Sequence, residues 1–268
     1  MFRIMTGLAS LVSTETPWWM GVPTTLIKKT TLVEEAQDRL PVHTLTFAIP
    51  QNVKFSGRAK SHADVDLSVG DVVKMVIPGY KPKSYSMSAL RENEFDVTFK
   101  VYPNGRASGF LNRLQVGQEM GTFGLSSGRY RNPGTFVGIV AYGVGITEGL
   151  PVAIAELEEG TADKVVLVWA CRTMADVFWQ DQLQDLMTRY PHKFQLIHVL
   201  SREQQQHHPN ALYGRVTPQL LDRIFQPKDR HSARFLSVGT KEMMRETDAM
   251  LQQINYPMPQ HALLVSKA

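Results

Sequence analysis

Residues 136–150 read F-V-G-I-V-A-Y-G-V-G-I-T-E-G-L, and the rest of the chain is read outward from them. Phe136 to Ala141 is an apolar run with β-branched residues and no alternation, the pattern of a strand covered on both faces. It breaks at Gly143-Val144-Gly145. Thr147 and Glu148 then suit a helix start that continues through Ala153, Ile154 and Leu157. A strand, a glycine turn and a helix N-terminus make a cradle for an anion, because glycines allow close backbone approach and the first helical N–H groups lack internal acceptors. A nucleotide phosphate is one occupant. An ordinary tight βα turn meets the same pattern, since Glu148 stands where the dinucleotide fingerprint G-x-G-x-x-G has its third glycine.

Downstream of this stretch, apolar strands alternate with amphipathic segments. Val165–Trp169 reads as a strand, Asp176–Met187 as a helix, Phe194–Leu200 as a strand and Pro218–Phe225 as a short helix opened by proline. Phe235, Leu236 and Val238 make a further strand before Gly239, and Glu242–Gln253 a last helix. Such alternation predicts a parallel sheet with helices on both faces, with ligands beyond the carboxyl ends of its strands. The residues placed there are Gly143-Val144-Gly145, Cys171-Arg172-Thr173, Ser201-Arg202-Glu203 and Gly239-Thr240-Lys241. Two of these turns carry an arginine and two a glycine, which suits a phosphorylated ligand.

Upstream the period is two. Leu45, Phe47 and Ile49 alternate with Thr44, Thr46 and Ala48, and Phe95, Val97, Phe99 and Val101 with Asp96, Thr98 and Lys100. Turn residues recur at Val69-Gly70-Asp71, Pro103-Asn104-Gly105 and Val116-Gly117-Gln118. Short antiparallel strands at this spacing predict a small closed β-barrel. Lys83-Ser84-Tyr85-Ser86-Met87-Ser88 puts a cation, a phenol and three hydroxyls on one strand, and taken alone it reads as an exposed polar strand with one buried aromatic. Gly105-Arg106-Ala107-Ser108-Gly109-Phe110-Leu111 is a second glycine-flanked helix start and a second candidate phosphate cradle. The expected organisation is therefore a barrel over residues 22–132 and an α/β domain over 133–268.

Composition narrows the class. Of 268 residues, 43% are hydrophobic and 20% charged, as in a globular protein. Cys171 is the only cysteine, which excludes an internal disulfide, a four-cysteine iron–sulfur cluster and a cysteine zinc site. It also suits a reducing compartment, so cytoplasmic residence is the expectation. The first dozen residues, with one Arg and no acid, leave organelle targeting open. No apolar run approaches the roughly 20 residues that span a bilayer. The formal charge of +4 is spread along the chain, so no nucleic-acid stripe is read; a mildly basic face suits an acidic partner or a phosphorylated ligand. The oligomeric state is not legible. His207 and His208 sit in a Gln-rich polar stretch and read as solvated, not as metal ligands; Cys171 reads as a buried strand-end thiol, and Trp18 and Trp19 as packing residues.

Taken together over residues 24–254, these motifs resemble the ferredoxin–NADP reductase family of flavoproteins. K-S-Y-S-M-S is similar to that family's R-x-Y-S segment, with Lys83 in place of Arg. The resemblance implies that Lys83 meets the flavin phosphate, Tyr85 packs on the isoalloxazine, and Ser86 bonds near flavin N5. Ser84 and Lys100 fall among the same contacts. Gly105, Arg106, Ala107 and Ser108 correspond to the phosphate-holding G-x-x-S-x-x-L. G-V-G-I-T resembles G-T-G-I-T-P, which places Gly143, Val144, Gly145 and Thr147 by the nicotinamide. Ser201 and Arg202 resemble the pair that grips the adenosine 2′-phosphate of NADPH. Arg172 and Arg215 add pyridine-nucleotide contacts, and Gly239 with Met243 corresponds to C-G-P-x-x-M.

The resemblance implies an enzyme that transfers hydride from NADPH to FAD rather than FMN, with Ser86 and Thr147 nearest the reacting atoms. It hands electrons to an acidic protein such as ferredoxin or flavodoxin. Two other readings stand beside this one: a reductase for a separate oxygenase, a haem protein or free flavin, and a non-catalytic nucleotide-binding protein on the same fold. The departures are Lys83 for Arg, Glu148 for Pro, Val238 for Cys and Thr240 for Pro, and the chain ends H-A-L-L-V-S-K-A without a terminal aromatic.

Overall fold

The computed structural model describes residues 21–51, 72–91, 93–125, 129–158, 162–203, 208 and 210–266. The first dozen residues, Trp18, Trp19, the Val69-Gly70-Asp71 turn and His207 lie outside the described residues. The chain divides into two compact units, the second taking in Thr31–Val42 as well as the described chain from Arg129 onward.

In the first unit, β1 (Val22–Val33), β2 (Val42–Ala48), β3 (Val72–Met75), β4 (Lys83–Arg91), β5 (Glu94–Lys100) and β6 (Glu119–Leu125) close into a barrel in the order β1-β2-β5-β4-β3-β6. Its interior is the apolar half of the alternation: Leu45, Phe47, Phe95, Val97 and Phe99 are buried, with the Phe47 and Phe95 rings stacked at 5.3 Å. Closure leaves no open sheet edge. Between β5 and β6 stands α1 (Arg106–Arg113). Its far end is anchored where Lys29 Nζ donates to the Asn112 carbonyl and, at 3.3 Å, to Asn112 Oδ1.

In the second unit, β8 (Phe136–Tyr142), β9 (Lys164–Cys171), β10 (Phe194–Leu200), β11 (Ala211–Tyr213) and β12 (Ala233–Val238) form a parallel sheet in the order β11-β10-β9-β8-β12. Alternate residues of β8 enter different cores, Val137, Ile139 and Ala141 on one face and Phe136 and Val140 on the other. Both faces are covered, which explains why the run shows no alternation in sequence. The helices are α2 (Ile146–Glu158), α3 (Gln180–Arg189), α4 (Pro218–Ile224) and α5 (Lys241–Gln253). A short pair, β7 (Arg129–Arg131) with β13 (Leu264–Ser266), brings the tail back to the strand that leads into the sheet.

The helix expected from Asp176 begins instead at Gln180. Asp176 is engaged in a capping box, its Oδ2 accepting from the Thr173 N–H at 3.2 Å, which closes a separate 3₁₀ turn over Met174–Asp176. Glu148, which stands in the family's Pro position, lies in the first turn of α2, where a carboxylate complements the helix dipole.

Candidate functional site

In the first unit the chemistry gathers where α1 begins. Gly105 is the N-cap, and the bond from Gly109 N–H to Gly105 O (2.7 Å) is the first of the helix. The N–H groups of Arg106, Ala107 and Ser108 therefore have no helical acceptor. Ser108 is buried, and its Oγ is engaged within the turn: it accepts from Tyr102 N–H at 3.1 Å and donates to Gly105 O at 3.4 Å. Its hydroxyl thus shapes the cradle, and what it offers a ligand is its backbone N–H.

Around this helix start lies an open concavity whose walls include Ile77, Tyr80, Asn104, Arg106, Phe110 and Arg113. Tyr80 is 37% exposed, with Lys83 Nζ 5.1 Å from its ring centroid and the Arg106 guanidinium 5.7 Å away. Tyr85, half-buried on β4, meets Phe99 edge-on at 6.4 Å. Burial, and next the neighbouring Tyr102, push its hydroxyl up to about 12, so it stays protonated. Ser84 is exposed, and Ser86 and Lys100 are half-buried. Ser88 belongs to a different network, joining Thr98 Oγ1 at 2.9 Å, which in turn meets Thr44 Oγ1 at 2.8 Å. Tyr80, Tyr102 and Arg113 are not among the candidates that the sequence motifs supply. The signal for the two tyrosines is an aromatic beside cations in two turn segments, P-G-Y-K-P-K and V-Y-P-N-G-R; Arg113 has no such signal.

In the second unit the carboxyl edge of the sheet collects the remaining candidates. The strand order reverses at β8, with β9 to β11 on one side and β12 on the other. This is the switch point where open α/β sheets hold ligands. Gly143, Val144 and Gly145 form a 3₁₀ turn here, and Thr147 is buried in the first turn of α2. Trp169 Nε1–H donates to Gly143 O at 2.8 Å, fixing the turn on β9. Gly143 has φ +52°, and a side chain there would meet nothing within 4 Å. Gly145 is different: a Cβ would lie 2.5 Å from the Val238 carbonyl oxygen. Gly239 packs under Tyr142, whose hydroxyl joins Thr247 Oγ1 at 2.8 Å. Met243, 38% exposed, has its N–H held by Thr240 Oγ1 at 3.2 Å.

On the other side of the switch point the turns after β9 and β10 are zipped together. Ser201 N–H donates to Cys171 O at 3.0 Å and Arg202 N–H to Arg172 O at 2.8 Å. Glu203 adds a clip: its Oε2 accepts from Met174 N–H, while its Oε1 meets His208 Nε2 at 3.1 Å. Ser201 Oγ lies 3.3 Å from the Cys171 carbonyl. Arg202 and Arg215 are exposed with no ion pair among the described residues, and Arg172 is 3.9 Å from Asp176. Arg172, Arg202 and Arg215 thus follow three neighbouring strands at one edge.

These residues fit the groups that the family resemblance implies. Three N–H groups and Arg106 at the α1 start, with Arg113 on the same concavity and Lys83 beside Tyr80, suit a diphosphate, and the arginine edge with its left-handed glycine turn suits a phosphorylated dinucleotide.

Comparison with known proteins gives the same reading of the fold. Residues 139–249 match the oxidoreductase NAD-binding domain family. The chain is 32% identical over 167 residues to NADH–cytochrome b5 reductase 1 of Arabidopsis thaliana, covering 61% of this chain and 55% of that protein. The chain thus spans a little over half the length of that curated relative. Among solved structures, the cytochrome b5 reductase domain of Ulva prolifera nitrate reductase aligns with a TM-score of 0.71 at 16% identity, covering 90% of this chain and 95% of that one. A ferredoxin NADP+ reductase from Neisseria gonorrhoeae with bound FAD and NADP aligns at 0.67 and 17%, covering 90% and 94%.

Proposed function

We propose that this chain, a member of the ferredoxin–NADP reductase family by its barrel-plus-sheet fold and its NAD-binding domain, is a reductase that moves electrons from a reduced pyridine nucleotide through FAD to a separate haem protein of the cytochrome b5 kind. The observation that carries the reading is the pairing, in one chain, of an anion cradle beside a K-S-Y-S strand with a parallel sheet whose carboxyl edge bears three arginines. FAD supplies the step from two-electron acceptance to one-electron release. The chain's residues supply binding and alignment: Lys83, Arg106 and the α1 N–H groups for the diphosphate, Tyr85 and Ser86 for the ring, and Gly143–Gly145 with Thr147 for the nicotinamide. No acid–base pair is required of the protein.

The acceptor is where the expectation shifts. The family resemblance and the basic charge point to ferredoxin or flavodoxin, but the Arabidopsis relative, at 32% identity, is named for cytochrome b5. A haem protein, which stands among the alternative acceptors read from the sequence, is therefore the better supported partner.

For the nucleotide, NADPH is supported by Ser201 and by Arg202, which has no ion pair among the described residues, with Arg172 and Arg215 beside it. In the stretch directly after β10, residues 201–210, the carboxylate that could take a ribose 2′-hydroxyl is Glu203, and it is already engaged by Met174 and His208. The Arabidopsis relative is named for NADH. Anaerobic flavin bleaching with each nucleotide, followed by reoxidation with cytochrome b5, ferredoxin or flavodoxin, tests the whole reading. A protein that binds no flavin sinks it. Equal bleaching by NADH and NADPH removes the role given to Ser201 and Arg202.

A further inference from the structure

We propose that Tyr80 is a positioning residue for the flavin phosphates, acting by holding Lys83 and Arg106 in place over its ring. The inference rests on the flavin reading above and adds a residue to it. Three observations converge. Tyr80 is a large aromatic left 37% exposed on the wall of the concavity at the start of α1. Two cations from different elements, Lys83 from β4 and Arg106 from α1, lie 5.1 and 5.7 Å from its ring centroid, both within cation–π range. Neither cation has an ion-pair partner among the described residues.

The physical need for such a residue follows from Lys83. An ammonium on a four-carbon stem is a mobile point charge without the fixed fork of a guanidinium. Left alone, it must lose rotamer freedom to meet a phosphate. Beside the Tyr80 ring its range is already restricted, and Arg106 is restricted by the same ring. Tyr80 follows Pro78-Gly79, and its own N–H donates to Ile77 O at 3.0 Å, so its backbone is set by a turn. The tyrosine hydroxyl is not needed for this role; the ring face is.

Because only the phosphate end of the cofactor meets these cations, the prediction separates flavins by their phosphates. In Tyr80→Leu, affinity for FAD and FMN falls by roughly tenfold, the effect of removing two cation–π interactions at a part-exposed site. Riboflavin affinity stays unchanged, and Tyr80→Phe behaves as the wild type. Fluorescence titration of the apoprotein with the three flavins reads all of this without turnover. The difference between FAD and riboflavin also shrinks with added salt less steeply in Tyr80→Leu than in the wild type. If riboflavin weakens as much as FAD, or if Tyr80→Phe weakens FAD as Tyr80→Leu does, the proposal is wrong. If the wild type binds none of the three, the flavin reading fails first.

Discussion

The two glycines of the turn after β8 answer to different physical demands, and a pair of substitutions separates them. At Gly145 the obstacle is a neighbour. A methyl group there would sit 2.5 Å from the Val238 carbonyl oxygen, 3.0 Å from its carbon and 3.2 Å from Val238 Cγ1. Real Cβ contacts do not fall below 3.0 Å, so the turn or the end of β12 must move by about half an ångström, and both belong to backbone. Overpacking of this kind costs about 1–3 kcal/mol. In a unit of this size each kcal/mol lowers Tm by roughly 2–4 °C. The displaced atoms are those that would face the nucleotide, so its affinity in Gly145→Ala should fall by at least about tenfold, since small misplacements cost that much and more. At Gly143 the obstacle is the dihedral angle. Its φ is +52°, with open space where a side chain would go. Ala there carries a left-handed penalty of about 1–2 kcal/mol, whereas Asn, which tolerates that region, should come close to wild type. Thermal melts and nucleotide titrations of Gly145→Ala, Gly143→Ala and Gly143→Asn check the scheme. Wild-type affinity in Gly145→Ala, or a Gly143→Asn protein as damaged as Gly143→Ala, would refute the assignment.

Three further outcomes are expected. Glu203→Ala frees the Met174 N–H and loosens the loop that carries Arg172; the KM for the reduced pyridine nucleotide should rise roughly tenfold with kcat unchanged, a loss of about 1.4 kcal/mol in binding alone, and Glu203→Gln should restore it because an amide oxygen still accepts from that N–H. A parallel fall in kcat would show that the clip acts on more than binding. His198 is held at about 4, by burial first and His208 second, against roughly 6.5 in an unfolded chain. Between those values only the unfolded state takes up the proton, so stability is complete above about pH 6.5 and declines toward pH 4, by up to about 3 kcal/mol. Denaturant titrations at pH 7.5 and 5 should show that decline in the wild type and a shallower one in His198→Leu; equal declines would clear His198. Finally, Glu156 is wholly buried with Arg131 at 3.4 Å, so Arg131→Met should destabilise by about 1–3 kcal/mol while Arg131→Met combined with Glu156→Leu recovers part of it. Calorimetry showing the single and double variants alike would mean that the pair is not what matters.

What the sequence makes legible is whatever depends on neighbours along the chain. Leu45 and Phe47, and Phe95, Val97 and Phe99, alternate because one face of each strand enters the barrel. The run at 136–141 does not alternate because its two faces enter two cores. Gly143, Arg172, Arg202 and Gly239 can be placed at one edge because every parallel strand ends on the same side. What it leaves illegible is how polar groups are engaged between segments. The motif points Ser108 at a phosphate, yet its hydroxyl serves Tyr102 and Gly105. The periodicity puts Asp176 inside a helix, yet its carboxylate caps Thr173 and postpones that helix to Gln180. Glu203 stands in the sequence as the third letter of S-R-E, and its bond to Met174, 29 residues earlier, is what turns it from a candidate ribose acceptor into a clip. The same limit explains Gly143 and Gly145. Both are written with one letter in one motif, but the first is required by its own dihedral angle and the second by the carbonyl of a strand 93 residues away in sequence. A motif therefore shows where a backbone is unusual. Only the neighbours across the sheet decide whether that backbone is needed for a ligand, for the turn itself or for the strand beside it, and at this edge Gly145 belongs to the strand beside it before it belongs to any nucleotide.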